Sequence, residues 1–327
     1  MNYLLHKEKI RSIMLATLTT GLITFIQPVF ADSQVTYDPV SNAVHIPKVH
    51  VGEDQYEVQM KFEPEQNRFV LTEAKLISML TFKDRDNPDV SWTLTLSELI
   101  AQLPSRDIEV FDPVENRNKT FRGVSTNALL DLIYGEGWQE REEILTTALD
   151  GSQSSLAVER FLKYESYVAY EQVDRPQFIL VKASDGKLVE LGPFFLIWDN
   201  ITFPEVKASV SYGWPWQLVS FELAKFADLF ANSAPPEGSP ENVKSGFLAA
   251  REFCMGCHKV NGEGGTRAPD LIQADLVADH TADRIKELIT DIDEAPVSGM
   301  VLRDEIPDRE QVADDIIAYL KAMDAAR

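Results

Sequence analysis

Cysteine and histidine are scarce in this chain of 327 residues, which has two of the first and five of the second. Both cysteines fall in one stretch, Cys254-Met255-Gly256-Cys257-His258. Two cysteines placed at random would take this spacing, with a histidine following, about once in ten thousand chains. Residues three apart share one face of a helical turn, so both thiols can reach the two vinyl groups of one porphyrin. The next residue then brings its imidazole beneath the iron. The chemistry this spacing suits is covalent attachment of one haem c, with thioethers at Cys254 and Cys257 and the proximal nitrogen from His258. Three other uses fit less well. A closed zinc site needs two more ligands, and His280 is the only other histidine nearby. A redox dithiol sits where a strand meets a helix, whereas residues 243–253 read as helix. A disulfide across so short a loop would be strained and would stabilise little.

Composition narrows the setting. There are 31 Lys and Arg against 52 Asp and Glu, a formal charge of −21. That balance speaks against a nucleic-acid partner, which calls for a basic face. At 25% charged and 44% hydrophobic the chain is ordinary globular material. Two cysteines cannot staple a fold of this length. Lys7, Lys9 and Arg11 precede an apolar run from Ile13 to Ile26, then Val29 and Ala31 stand at the −3 and −1 positions of a cleavage site. This order is that of a secretory signal peptide over residues 1–31, cleaved after Ala31. Its loss would take the charge to −23 and leave a periplasmic protein that does not span the membrane.

The elements that must position the haem site are read from periodicity. Residues 32–80 alternate as a small β meander, with Val44 and Ile46, then Tyr56, Val58, Met60 and Phe62, recurring with period two. His45 and His50 lie on it as solvent-side residues rather than metal ligands. Residues 88–230 mix strands and helices: a helix after Thr95, a strand at Ile108–Phe111, and Phe121–Val124 leading into a Leu-rich helix. Strands at Phe178–Val181 and Phe194–Trp198 are divided by an Asp185-Gly186 turn. All five tryptophans fall in this region and are read as packing residues. Residues 231–240, rich in proline and small residues, read as an extended linker with nothing to pack. From 241 to 327 the apolar residues recur at helical spacing. The fold class expected is multidomain: a β meander, an α+β central domain and an all-α C-terminal domain.

Residues 241–327 resemble the small single-haem cytochrome c domain. Gly246 matches the small residue that lets the family's first helix touch its last, and Tyr319 would pack against it. Ala268-Pro269-Asp270-Leu271 is similar to the loop whose proline carbonyl accepts a hydrogen bond from the proximal histidine, here Pro269 with His258. The resemblance places the distal ligand at Met300, in the loop Ala295-Pro-Val-Ser-Gly-Met300. The family often has Met-Pro there, and this chain has Met300-Val301. Met255 lies inside the attachment loop and Met323 at the end of the last helix, while His280 or an open site is the alternative. Methionine ligation would raise the reduction potential relative to two histidines.

Residues 90–220 resemble the molybdopterin-binding domain of the sulfite oxidase superfamily in Thr120-Phe-Arg-Gly-Val124, Asp150-Gly151 and Leu191-Gly-Pro-Phe-Phe-Leu196. Catalytic members hold molybdenum with a cysteine thiolate, and this region has no cysteine. The resemblance therefore implies a non-catalytic relative, and a molybdenum cofactor is not expected. Arg122, Lys163, Arg175 and Lys182 read as solvated cations rather than an anion site.

The function expected is an exported carrier of one electron. Its alternatives are a haem-containing oxidoreductase that works through the central domain, and a haem-based sensor in which a ligand replaces Met300. Residues 241–327 hold 10 basic and 18 acidic residues. Asp291, Asp293, Glu294, Asp304, Glu305 and Asp308 flank Met300, an arrangement that would steer a redox partner with a basic docking face.

Overall fold

The computed structural model describes residues 36–51, 54–76, 78–89, 91–112, 115–175, 178–181, 188–206, 213–272, 281–290 and 308–326. The expected signal peptide therefore lies outside the described residues. The chain divides into two compact units, Met1–Ser78 and Met79–Arg327.

The described part of the first unit is a four-stranded antiparallel meander in sequence order: β1 (Thr36–Asp38), β2 (Ala43–Val51), β3 (Asp54–Glu63) and β4 (Arg68–Leu76). Its period-two residues Ile46, Tyr56, Val58, Met60 and Leu71 form one buried cluster. The register shifts between Ile46 and Val49, where Pro47 has no N–H to give the ladder. His45 sits across from β3 with its Nε2 2.7 Å from Glu57 Oε1. The side chain of His50 lies outside the described residues.

The second unit opens with β5 (Met79–Asp84), β6 (Ser91–Thr95), α1 (Leu96–Gln102), β7 (Arg106–Asp112), β8 (Arg117–Ser125) and α2 (Thr126–Tyr134). It continues through β9 (Glu143–Ala148), β10 (Gln153–Ala157), α3 (Val158–Lys163), β11 (Ser166–Gln172), β12 (Ile179–Val181) and β13 (Leu188–Glu190). After β14 (Phe195–Trp198) come β15 (Leu218–Ala224) and α4 (Phe226–Leu229). A five-stranded sheet runs β10-β9-β15-β5-β6, and a four-stranded sheet runs β14-β11-β8-β7. One apolar core is common to both sheets, with Leu80, Phe82 and Phe221 from the first and Val124, Val168 and Leu196 from the second. Helix α1 begins where Thr95 and Glu98 cap each other's backbone N–H groups, a capping box that fixes the boundary.

Two expectations are corrected. The central sheet begins at Met79, not residue 88, because β5 pairs in parallel with β15, so Leu80 and Phe82 join its core. The strands at Phe178–Val181 and Phe194–Trp198 are not neighbours: β13 intervenes and pairs with β12, while β14 pairs with β11. All four residues of β14 are buried, which an outlying hairpin could not provide. The Asp185-Gly186 turn lies outside the described residues. Trp138, Trp198 and Trp214 are buried in this core, and Trp198 Nε1–H donates to the Gly213 carbonyl.

The C-terminal region contains α5 (Glu241–Phe253), the two-residue strands β16 (Lys259–Val260) and β17 (Glu263–Gly264), α6 (Thr281–Thr290) and α7 (Arg309–Ala325). No helix among the described residues is long and apolar enough to cross a membrane. Residues 231–240 also differ from the extended spacer expected. The Glu263 carboxylate accepts from the N–H groups of Asn232 and Ser233, and the buried Tyr319 hydroxyl donates to the Ser233 carbonyl at 2.7 Å. The segment is tied down at its start because its free backbone groups find partners on the C-terminal helices and loop.

Candidate haem-attachment site

Helix α5 ends at Cys254, and the chain keeps turning: the N–H groups of Cys257 and His258 both donate to the Cys254 carbonyl, at 3.1 and 2.9 Å. The two cysteines are free thiols on this single turn. Packing around Cys254 pushes its thiol up to about 12, and the neighbouring Cys257 adds to the rise. Met255 points inward and joins the apolar cluster with Val260, Leu271 and Ile272.

The loop that follows wraps the turn. Gly265 N–H donates to Met255 O, Ala268 N–H to Cys257 O and Leu271 N–H to Lys259 O, at 2.8–2.9 Å. This wrapping brings the Pro269 carbonyl to 2.7 Å from His258 Nδ1. A carbonyl can only accept, so the proton sits on Nδ1 and the Nε2 lone pair is left for a metal.

The turn is held from behind by helix crossing. A Cβ at Gly246 would lie 1.9 Å from the Asp315 carbonyl oxygen and 2.8 Å from Tyr319 Cβ. Only glycine lets α5 and α7 approach so closely. Tyr319 is fully buried beside it, its ring centroid 5.6 Å from that of Phe247.

The residues present fit a covalently held haem. Two thiols and an imidazole with a free Nε2 are presented by one turn, and a carbonyl fixes the tautomer. Among the described residues, no three His, Cys, Asp or Glu side chains converge as a site for a bare metal ion. Met300 and His280, the two expected distal ligands, lie outside the described residues, as do Asp291, Asp293, Glu294, Asp304 and Glu305.

In the central region the expected solvated cations are engaged. Arg122 pairs with Asp107 and Glu171, Arg175 with Glu115, and Lys163 Nζ lies 4.9 Å from the Tyr164 ring centroid. Lys182 is outside the described residues. Two charged features were not legible in the sequence. Lys119 is fully buried between Asp112 and Glu115. Arg251 on α5 makes a buried pair with Glu143 of β9 at 3.1 Å and lies 4.5 Å from the Phe230 ring centroid. Asp112 and Glu115 stand only seven and four residues before Lys119, but nothing in that spacing marks its burial, whereas the fold alone brings Glu143 to Arg251.

Residues 243–324 match the family described as Cytochrome c. The matched span runs from α5 through the Cys254–His258 turn to α7. No curated protein matches the chain. The C-terminal region is a cytochrome c domain, which implies haem c and supports a role in haem electron transfer.

Proposed function

We propose that this chain is an exported carrier that accepts and passes on one electron through a single haem c, attached at Cys254 and Cys257. The observation that carries the reading is the 2.7 Å contact of His258 Nδ1 with the Pro269 carbonyl, on a turn that also presents both thiols. Bound haem c would supply a one-electron Fe(III)/Fe(II) couple. The chain's own residues do the rest. Cys254 and Cys257 hold the group covalently. His258 would ligate the iron through Nε2, and its tautomer and orientation are set by Pro269. Met300 would supply the second ligand, a soft thioether that would favour the reduced state and raise the potential. The central region, without a cysteine, serves as a non-catalytic relative of the molybdopterin-binding domain.

A pyridine haemochrome spectrum with metal analysis, on protein made where haem is attached, tests the proposal. It predicts one haem per chain held by two thioethers and no stoichiometric molybdenum. Cys257→Ala should shift the haemochrome band to that of a single thioether. A haem extractable into acidified solvent from the wild type would sink the covalent assignment. In the oxidised protein, lack of the methionine-to-iron charge-transfer band would sink Met300.

A further inference from the structure

Strand β10 is the outer strand of the five-stranded sheet, with β9 on one side only. An outer strand leaves every second residue's N–H and C=O without a ladder partner, and folds cover such edges. Here the cover is the cytochrome c domain. Gln153 N–H donates at 2.7 Å to the carbonyl of Gly256, inside the haem-attachment turn. Two residues on, along the same edge, the Ser155 carbonyl accepts from Arg251 at 3.4 Å.

The turn before β10 extends the contact. Thr266 N–H and its hydroxyl donate to the Gly151 carbonyl at 2.9 and 3.3 Å. Arg267 pairs with Asp150 at 3.2 Å, and Ser152 Oγ lies 3.8 Å from Cys257 Sγ. Gly151 has φ +82, and a Cβ there would stand 2.3 Å from Thr266 Oγ1. Behind this polar seam, Leu145, Ala224, Leu229 and Phe230 share one apolar cluster with Val243 and Phe247 of α5.

We propose that the central domain is a fixed clamp on the haem-attachment turn. The β9–β10 turn and the outer edge of β10 hold Gly256 and Cys257 in place. The cytochrome c domain therefore does not swing on residues 231–240, and an external redox partner must meet it on another surface. This rests on reading Cys254–His258 as the haem-attachment turn, and it gives the central sheet a role in an electron carrier.

Amide hydrogen exchange on the full-length chain, made where haem is attached and checked by its haemochrome, tests the clamp. In the wild type the Gln153 and Thr266 amides should be protected about a hundredfold or more over open-chain rates. Gly151→Val, which drives a side chain into Thr266, should speed both amides and proteolytic cutting within 231–240 about tenfold, with haem content unchanged. Wild-type amides exchanging at open-chain rates would overturn the clamp, whether or not the variant folds. So would a folded Gly151→Val with wild-type exchange and cutting. A wild type with protected amides but no haemochrome would instead count against the attachment reading alone, because protection is measured without reference to haem.

Discussion

At the residue scale, the chemistry of His258 and of Glu115 is decided by what each side chain faces. Pro269 leaves His258 a single usable nitrogen. For Glu115, burial alone would raise the carboxyl, but the Lys119 ammonium and the guanidinium groups of Arg117 and Arg175 outweigh it and hold the pKa at about 2. The folded value lies below the ordinary 4.5, so the unfolded chain takes up the proton first as pH falls. The stability Glu115 contributes is full above about pH 4.5 and is lost on the way to about pH 2, on the order of 3 kcal/mol in all. Urea unfolding at pH 6 and pH 3 should show about 2 kcal/mol of this drop, and Lys119→Met should shrink it. At neutral pH, Lys119→Met leaves Asp112 and Glu115 buried without their ammonium and should cost about 3–5 kcal/mol. A cost below about 1 kcal/mol would mean that the remaining arginines neutralise the pair unaided.

At the element scale, the contact between α5 and α7 depends on one missing methyl group. Gly246→Ala places a Cβ against the Asp315 carbonyl and must push the helices apart, costing about 1–3 kcal/mol. Thermal unfolding followed at the haem band measures this, and an unchanged midpoint would mean that the crossing relaxes freely. Most elements were legible in the sequence where a local signal exists. The helix after Thr95 and the alternation around Val58 are local, and both appear where expected. The place of β5 was not legible. Its alternation over Leu80 and Phe82 is short, and its parallel partner β15 begins at Leu218, far along the chain. Nor could β13 be foreseen, since the three residues Leu188–Glu190 carry too little pattern to mark a strand.

At the scale of the whole molecule, two kinds of electrostatics should respond differently to salt. The chain carries −21, and the cytochrome c domain is acidic in its own right. Reduction by a basic partner should slow as ionic strength rises, because the attraction acts through solvent and is screened. Rates that do not change between low and physiological salt would sink the steering argument. The Arg251–Glu143 pair, with 11% and 6% of its side chains exposed, lies where salt screens little. Resistance of residues 231–240 to proteolysis should therefore hold across the same salt range in which partner reduction falls. A parallel loss of both would show that surface charge, not the buried seam, holds the domains together.

The expectation of haem attachment at Cys254–His258 rests on five consecutive residues, because two thioethers and an imidazole ligand on one porphyrin would demand close and fixed spacing. The pairing of Gly246 with Tyr319 follows from the family resemblance, and periodicity marks only the helices that carry them. What the attachment turn rests against was decided only by the tertiary structure. Gln153, Gly151 and Glu143 have no spacing relation to Gly256, Thr266 and Arg251, the residues they meet at and beside the turn, and the first two do so because β10 is left as a sheet edge. That edge exists because β9 pairs with β15, more than sixty residues further along the chain. Backbone groups at an edge must find partners somewhere, and which surface supplies them is a property of the assembled fold.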